Sequence, residues 1–260
     1  MHFCAFSLVG ESVQNPAAYY RNNVAHTLTL LDAMRQSGHT NLVFSSTAAV
    51  YGTPQQDSIN EEHGKQPINP YGRSKWMVEQ VLQDYAAAYG LNSVSLHYFN
   101  ATGADPCGCL GEKHDPETHL IPNILKSVAS GGEIQLKVFG TNYPTHDGTC
   151  VRDYIHVNDL ASAHLLAGAF LPTHPGAHAF NLGNGDGFSV LEVIRAAEAV
   201  TGQAIPFDIS ERRPGDPPTL VADSTRAIDT LGWKPHYTNI NDIIDTAWPW
   251  HRDGETFKPW

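Results

Sequence analysis

Tyr71 and Lys75 are the two residues whose types and spacing most directly suggest chemistry. They follow Asn69-Pro70, which is typical of a helix start because proline fits the first helical turn. Residues four apart lie on one helix face, so the Lys75 ammonium is expected beside the Tyr71 phenol. An ammonium there lowers the pKa of the phenol, which can then take a proton from an alcohol while a hydride leaves the same carbon. The alternative for so short a motif is a surface tyrosine–lysine pair on an ordinary helix.

Strands and helices alternate along the first hundred residues, which favours a parallel doubly wound α/β sheet. We expect buried strands at 1–6, 42–44 and 93–99, a helix from Asn15-Pro16 to Gly38, and the Tyr71 helix between the last two strands. Ligands of such sheets gather at the carboxyl ends of the strands. Thr47, Tyr71 and Asn100 all fall at that edge.

The second half begins with a loop rich in glycine, proline and aspartate at 103–118. Apolar periodicity then predicts the following elements: a helix at 120–129, a strand at 136–139, a strand from 152 into a helix at 159–170, a strand at 180–182, and helices at 189–200, 224–231 and 240–250. Ser189 with Glu192 three residues later predicts a capping box at the start of the 189–200 helix.

Bulk composition restricts the classes of function. The 260 residues are 41% hydrophobic and 17% charged, which indicates a globular chain. The formal net charge of −11 argues against non-specific nucleic-acid binding. No apolar stretch is long enough to span a membrane and residues 1–6 do not resemble a signal peptide, so we expect a cytoplasmic protein with no membrane partner.

The cysteines and histidines predict no metal site. Cys107-Gly-Cys109 has no second pair, and Cys4 and Cys150 stand alone, so four free thiols are expected. The chain has 14 histidines, but no His-x-x-x-His falls on a predicted helix.

Several longer motifs, none specific alone, together resemble the extended short-chain dehydrogenase/reductase superfamily and, within it, the UDP-glucose 4-epimerase family. The resemblance extends from Met1 to about Trp250. It rests on residues 9–13 (Val-Gly-Glu-Ser-Val), 44–52 (Phe-Ser-Ser-Thr-Ala-Ala-Val-Tyr-Gly), 69–75, 98–100 (Tyr-Phe-Asn), 140–145 (Gly-Thr-Asn-Tyr-Pro-Thr), 147–156 and 212–216 (Arg-Arg-Pro-Gly-Asp).

The resemblance implies an NAD-dependent interconversion of UDP-glucose and UDP-galactose through a 4-keto sugar. Tyr71 is then the base at the sugar 4-OH, Thr47 hydrogen-bonds the reacting oxygen, and Lys75 lowers the pKa of Tyr71 and holds the nicotinamide ribose. Ala48 and Ala49 stand where the related sugar-nucleotide dehydratases carry an acid and a base, so dehydration is not expected.

The resemblance also implies binding residues. The positions expected to contact NAD are Phe3, Asn22, Thr47, Tyr71, Lys75 and Phe99. Those expected to contact the UDP-sugar are Asn100, Leu120, Phe139, Arg152, Arg213, Asp216 and Leu220. Arg152 and Arg213 would hold the diphosphate, for which the forked donors of arginine are suited.

Leu220 occupies the position that, in the resembled family, limits the substituent at C2 of the sugar. Its intermediate size favours UDP-glucose and UDP-galactose, with the N-acetylated UDP-sugars as a further possibility. A UDP-xylose/UDP-arabinose 4-epimerase is another open alternative. The helices at 17–36 and 73–89 match those that form a homodimer interface in the resembled family.

The chain departs from the resembled family at its start, because no Gly-x-x-Gly-x-x-Gly loop occurs in it. We expect the missing part to be the first βαβ units of a Rossmann domain, so that Met1 lies within its fourth strand. Residues 1–102 are then the remaining NAD-binding part, and 103–260 are mainly a smaller α/β lobe for the UDP-sugar, with the chain returning to the sheet near 152–170. A catalytically inert UDP-sugar-binding module is the alternative function.

Overall fold

The structure, a computed structural model, describes residues 1–56, 58–213 and 216–256. The helices are α1 (Val9–Gln14), α2 (Pro16–Tyr19), α3 (His26–Gln36), α4 (Pro70–Tyr89), α5 (Leu120–Ala129), α6 (Val157–Phe170), α7 (Val190–Thr201), α8 (Thr225–Leu231) and α9 (Ile240–Arg252). The strands are β1 (Asn41–Ser45), β2 (Ser58–Ile59), β3 (Asn92–Tyr98), β4 (Asn100–Thr102), β5 (Leu136–Phe139), β6 (Val151–Arg152), β7 (Tyr154–His156), β8 (Ala177–Leu182), β9 (Phe188–Ser189), β10 (Phe207–Ser210) and β11 (Thr219–Ala222).

The described chain forms two compact units, each built from three segments. The first comprises Met1–Tyr98, Ser162–Leu182 and Asp223–Trp233. The second comprises the described residues of Phe99–Ala161, Gly183–Ala222 and Lys234–Trp260. The assignment of NAD binding to residues 1–102 and of UDP-sugar binding to 103–260 stays a prediction.

A parallel sheet with the order β1-β3-β8 is the centre of the first unit. Val43 pairs with Val94, and Leu96 pairs with Phe180. Leu42 and Phe44 belong to a buried apolar cluster with residues of the helices and of the loop before β3: Leu31, Val78, Leu82 and Leu91. Strands that are apolar along their length are typical of parallel sheets covered by helices.

The second unit contains several small sheets beside a helical core. β5 pairs with β10 and β4 with β7, both in parallel, while β6 pairs in parallel with β11 and antiparallel with β9. The main apolar cluster joins α5, α7 and α9 through buried side chains that include Ile124, Val193 and Ile244. This core includes Leu136 and Val138 of β5, the strand that ends at the predicted substrate residue Phe139.

Local sequence patterns predict several elements at or near their observed bounds. The helix expected at 120–129 is α5, and the strand expected at 136–139 is β5. The expected capping box is confirmed, since the Ser189 hydroxyl accepts from the Glu192 backbone N–H and the Glu192 carboxylate accepts from that of Ser189. These predictions succeed because their determinants lie within a few residues of each element.

The predicted buried strand at 1–6 is wrong. Only His2 pairs with the sheet, through hydrogen bonds to the Val43 carbonyl and from the Ser45 N–H, while Phe3 and Phe6 are exposed. The backbone N–H and C=O of Phe6 instead bond the side-chain amide of Asn23, at 2.9 and 3.0 Å. That amide turns the segment away from β1, so the strand does not continue.

The predicted helix from Asn15-Pro16 to Gly38 is interrupted. α2 leads into a π-helical turn at Tyr20–Ala25 before α3 begins, and the Asn15 side chain makes no capping hydrogen bond. Such π turns often occur at functional sites. Asn22, a predicted cofactor residue, lies in this turn.

Cys107 and Cys109 are joined by a disulfide, with Cα atoms 5.4 Å apart. The prediction of free thiols is therefore wrong for this pair, whereas Cys4 and Cys150 are free. Gly108 between the two cysteines has a φ of +69°, a backbone conformation natural to glycine that folds the chain tightly enough to bring them together. Among the described helices none has the length and apolar character needed to cross a membrane.

The capping box gives the first prediction. Ser189→Ala removes the cap of α7 and the 2.5 Å hydrogen bond from Ser189 to the Asp147 carboxylate, so the free energy of unfolding should fall by about 1–2 kcal/mol. Urea unfolding measures the change. Ser37→Ala, at an exposed helix end, is the control and should cost less than about 0.5 kcal/mol. Equal effects for the two variants would contradict the role of the cap.

Candidate functional site

Lys75 places a buried ammonium at the carboxyl end of β1. The residue is 3% exposed, and its Nζ donates to the Ser45 carbonyl oxygen at 2.6 Å. The same nitrogen lies 4.8 Å from the Phe44 ring centroid and 6.0 Å from that of Tyr71. A buried charge needs such partners because leaving it unpaired is costly.

The start of α4 brings Tyr71 close to Thr47. The Asn69 side chain accepts from the Gly72 N–H at 2.8 Å and so caps the helix. A Cβ on Gly72 would lie only 2.4 Å from the Ala49 carbonyl oxygen, so this glycine permits α4 to pack directly on the turn after Thr47. The Thr47 hydroxyl in turn accepts from the Ala49 N–H at 3.2 Å, which fixes that turn.

Burial raises the pKa of Tyr71 to about 12, and a hydrogen bond with Thr47 acts in the opposite direction. The Lys75 ammonium donates to the Ser45 carbonyl. The effect of Lys75 on the pKa of the Tyr71 phenol stays a prediction. Burial also lowers the pKa of Lys75 to about 8, while the nearby charge of Glu79 raises it.

A buried polar network behind this trio was missed from the sequence. The Glu79 carboxylate accepts from the Ser46 hydroxyl and lies 2.8 Å from Nε2 of His97. Nδ1 of His97 lies 2.9 Å from the Tyr51 hydroxyl, which donates to the Asn181 side chain at 2.6 Å. The sequence feature that could have indicated this network is Glu79, an acidic residue one turn after Lys75 on the buried face of α4.

Two predicted cofactor residues lie on the N-terminal side of the first unit. Asn22 donates through its side chain to the amide oxygen of Asn23, and buried Asn23 donates in turn to the Ser74 hydroxyl, both at 3.0 Å. Asn23 thereby ties the π turn to α4, a role that the sequence did not suggest. Phe3 is 56% exposed, with its ring 4.9 Å from that of His164.

In the second unit, Arg152, Asp216 and Leu220 come together. Leu220 of β11 pairs with Arg152 of β6, whose guanidinium lies 3.6 Å from the Asp216 carboxylate. The same guanidinium donates to the carbonyl oxygens of Val151 and Pro217, at 2.8 and 2.9 Å. The Arg152 head group is therefore held in one orientation.

Phe139 and Arg213 form a second contact in this unit. The Arg213 guanidinium carbon lies 3.9 Å from the centroid of the Phe139 ring, a cation–π arrangement. Leu120 is the first residue of α5 and is partly buried, as is Phe99, which directly precedes β4.

Asn100 is anchored to Asp153, a residue whose importance the sequence did not reveal. The Asn100 side chain donates to the Asp153 carbonyl oxygen at 2.7 Å. The fully buried Asp153 carboxylate accepts from the backbone N–H groups of Asn184, Gly185 and Ala222, at 2.7–3.1 Å. Burial raises the pKa of this carboxyl, and the three N–H donors oppose that rise.

Comparison with known proteins decides the family. The profile of the NAD dependent epimerase/dehydratase family matches residues 1–183. The chain belongs to the NAD dependent epimerase/dehydratase family.

Relatives of known function are similar over nearly the whole chain. A UDP-glucose 4-epimerase of Lacticaseibacillus casei is 51% identical over 253 residues, which are 97% of this chain and 76% of that protein. One from Halalkalibacterium halodurans is 50% identical, covering 97% of this chain and 75% of that protein. The resemblance to UDP-glucose 4-epimerases expected from the motifs is confirmed, and the chain spans about three quarters of these relatives' length.

Solved structures of this family agree with the fold. The crystal structure of the Brucella ovis UDP-glucose 4-epimerase in complex with NAD superposes with a TM-score of 0.93 at 50% identity, covering 96% of this chain and 77% of that one. The Bifidobacterium longum enzyme in complex with NAD+ and UDP gives 0.90 at 42% identity, covering 97% and 76%. The predicted α/β fold class is thus confirmed, and the residue assignments stay predictions.

The buried Lys75 gives a pH-dependent prediction. Above pH 8 the folded Lys75 loses its proton, whereas the unfolded chain keeps it up to its ordinary pKa of 10.5. The unfolded state then binds more protons, so stability rises with pH over this window. Relative to Lys75→Met, which removes the titrating group, the wild-type free energy of unfolding should increase by about 1–2 kcal/mol between pH 7.5 and 9.5.

Denaturant unfolding of the wild type and of Lys75→Met at several pH values measures the difference in their free energies of unfolding. The contributions of the other titrating groups are common to both proteins and largely cancel. Lys137→Met, at an exposed position of β5, is the control and should follow the wild type throughout. A wild-type advantage that stays constant or shrinks over the window would contradict the burial of a charged Lys75.

Proposed function

We propose that the chain is an NAD-dependent UDP-glucose 4-epimerase that interconverts UDP-glucose and UDP-galactose. The observation that carries this proposal is the placing of Tyr71 and Thr47 beside a buried Lys75 at the carboxyl end of β1. That arrangement occurs in a chain about half identical to several UDP-glucose 4-epimerases. It provides an acid–base pair at the edge where parallel sheets bind ligands.

The residues around Lys75 fit the nicotinamide end of NAD. An ammonium has three donor hydrogens, and the Ser45 carbonyl takes one, so others can serve a ribose hydroxyl. Asn22 and Phe99 are proposed as further contacts. When bound, NAD supplies the hydride exchange at C4 of the sugar.

Tyr71 is proposed as the group that takes and returns the proton of the sugar 4-OH. With its pKa raised to about 12, the phenol is protonated at neutral pH and a strong base once ionised. A hydrogen bond from Thr47 favours the phenolate form of Tyr71. We propose that Lys75 favours the phenolate further by its positive charge when the ammonium faces the phenol instead of the Ser45 carbonyl. Both neighbours would then ease proton transfer by Tyr71.

The diphosphate of the UDP-sugar is proposed to bind Arg152 and Arg213. Their guanidinium groups are held in place by Asp216 and by the Phe139 ring, respectively. Holding a guanidinium before the ligand arrives reduces the entropy lost on binding. Asn100, Leu120 and Leu220 are proposed as the remaining contacts.

Epimerisation is favoured over dehydration by the turn after Thr47. Ala48 and Ala49 form its first two residues. Neither side chain can donate or accept a proton, so the acid and base that loss of water requires are not supplied there.

Tyr71→Phe tests the proposed base. Loss of the hydroxyl removes the proton acceptor, so turnover of UDP-galactose should fall by at least about 100-fold. NAD bound to the purified chain is measured by extraction, and its reduction by UDP-galactose is followed by absorbance. Tyr237→Phe, at a partly buried position outside the proposed site and the proposed dimer helices, is the matched control and should keep the wild-type rate.

The same experiment separates the alternatives. A folded chain that binds UDP but retains no NAD would be the catalytically inert UDP-sugar-binding module instead. Bound NAD that UDP-galactose reduces equally well in Tyr71→Phe would contradict the role of Tyr71.

Sugar preference is a separate prediction that rests on Leu220. This residue is of intermediate size and only partly buried in β11. UDP-glucose and UDP-galactose should be the best substrates, with slower turnover of the N-acetylated UDP-sugars. Competition kinetics with pairs of UDP-sugars measure the ratio. A UDP-pentose that outcompetes UDP-galactose would favour the alternative, a UDP-xylose/UDP-arabinose 4-epimerase. This alternative is worth testing because a solved relative 44% identical to this chain holds a formylated UDP-arabinopyranose.

A cytoplasmic homodimer is the proposed assembly, formed through the helices at 17–36 and 73–89. Met77 and Tyr89 of α4 are 40% and 53% exposed, which leaves apolar surface for a second copy. Light scattering should give twice the mass of one chain, and Met77→Glu should give a monomer. A monomer in the wild type would contradict this proposal.

A further inference from the structure

Four side chains that the proposed reaction does not use gather in the loop between β4 and α5. Glu112, His114, Glu117 and His119 each offer one nitrogen or oxygen atom, and these four atoms all lie within 4.8 Å of one another. They follow the pattern Glu-x-His-x-x-Glu-x-His. Neither cysteine spacing nor helical histidine pairs reveal the cluster, because it is built in a loop.

The imidazoles converge on the carboxylates. Nδ1 of His114 lies 3.0 Å from Oε1 of Glu112 and 3.7 Å from Oε1 of Glu117, and Nδ1 of His119 contacts the same oxygen of Glu112. The two rings meet edge to face, with centroids 5.2 Å apart. All four groups therefore point to one small volume.

Glu117 shows that this volume is not simply a solvated acidic surface. Its side chain is 6% exposed, and its Oε1 accepts from the backbone N–H groups of Thr118 and His119, at 2.8 and 3.0 Å. Its buried Oε2 is ion-paired with Lys126 Nζ at 3.5 Å but makes no hydrogen bond. A buried carboxylate with an oxygen that lacks a hydrogen bond can accept a further cationic partner.

The donor set indicates which cation. Two imidazole nitrogens and two carboxylate oxygens suit zinc, whereas magnesium and calcium prefer oxygen donors alone. In a tetrahedral zinc site with bonds of about 2.0–2.1 Å, neighbouring ligand atoms are about 3.4 Å apart. Two of the observed separations, 3.0 and 3.7 Å, bracket that value, while the His119–Glu112 contact is shorter and no pair exceeds 4.8 Å, so side-chain rotations would have to adjust the set to a tetrahedron.

We propose that Glu112, His114, Glu117 and His119 bind one Zn²⁺ ion as a structural site. Four protein ligands close the coordination sphere, which is typical of structural rather than catalytic zinc. His119 is the residue before α5 and does not cap it by a side-chain hydrogen bond; its ring contacts Glu112 of the cluster instead. The ion would fix the loop that leads to Leu120, a proposed substrate contact.

Zinc titration of the full chain against a chromophoric chelator tests the proposal. Free thiols are alkylated first, because exposed Cys4 also binds zinc. One zinc ion per chain is expected, with affinity at least about 100-fold lower in His114→Ala and in His119→Ala. His146→Ala is the matched control, because His146 is an exposed histidine 3.1 Å from a Glu192 carboxylate oxygen outside the cluster, and it should bind zinc as the wild type does.

Three results would contradict the zinc site. The absence of bound zinc at micromolar concentrations would overturn the proposal, and so would equal zinc affinity in the wild type and both histidine variants. Magnesium that binds as tightly as zinc would also overturn it, because the imidazoles would then play no part. Should circular dichroism show that an alanine variant does not fold, Glu112→Gln removes a ligand with little change of shape and must weaken zinc binding instead.

Discussion

Burial of the Lys75 ammonium is the constraint on which the first unit depends. A charge at 3% exposure is tolerable only with close partners, and the Ser45 carbonyl provides the nearest one. That bond requires α4 to cross the end of β1 closely, and Gly72 permits this because a side chain there would meet the Ala49 carbonyl. The placing of Tyr71 beside Thr47 is a consequence of the same approach.

The polar network behind Lys75 extends this constraint across the sheet. Glu79 bonds Ser46 on one side and His97 of β3 on the other, and Tyr51 carries the chain of hydrogen bonds to Asn181 of β8. All three strands of the parallel sheet therefore take part in the network: His97 lies in β3, Asn181 lies in β8, and Ser46 directly follows β1. Such a network is stabilising only when all of its buried polar groups form their hydrogen bonds, so it favours the one arrangement of the strand ends in which they do.

Sequence patterns predicted most elements, because these depend on neighbours in the chain, and helical spacing predicted that Tyr71 and Lys75 lie near each other. α5, β5 and the Ser189 cap follow from local periodicity and capping. The failures have distant causes. Asn23 diverts the 1–6 segment from 17 residues away, and the partners of Tyr51 lie 46 and 130 residues away. Spacing on a helix gives proximity but not the direction in which an ammonium turns, so the hydrogen bond from Lys75 to the Ser45 carbonyl was not foreseen.

The second unit also depends on a buried charged residue, here the carboxylate of Asp153. Arg152 ends β6 and Asp153 lies between β6 and β7, and their side chains have different partners. Asp153 is fully buried and bonds three backbone N–H groups, thereby holding the turn at 184–185 against β11. Arg152 is kept in position by carbonyl oxygens and Asp216, and its side chain remains 15% exposed. Because Asp153 is the residue next to Arg152, a conservative change at Asp153 would loosen the backbone that positions Arg152, which we propose as a ligand contact.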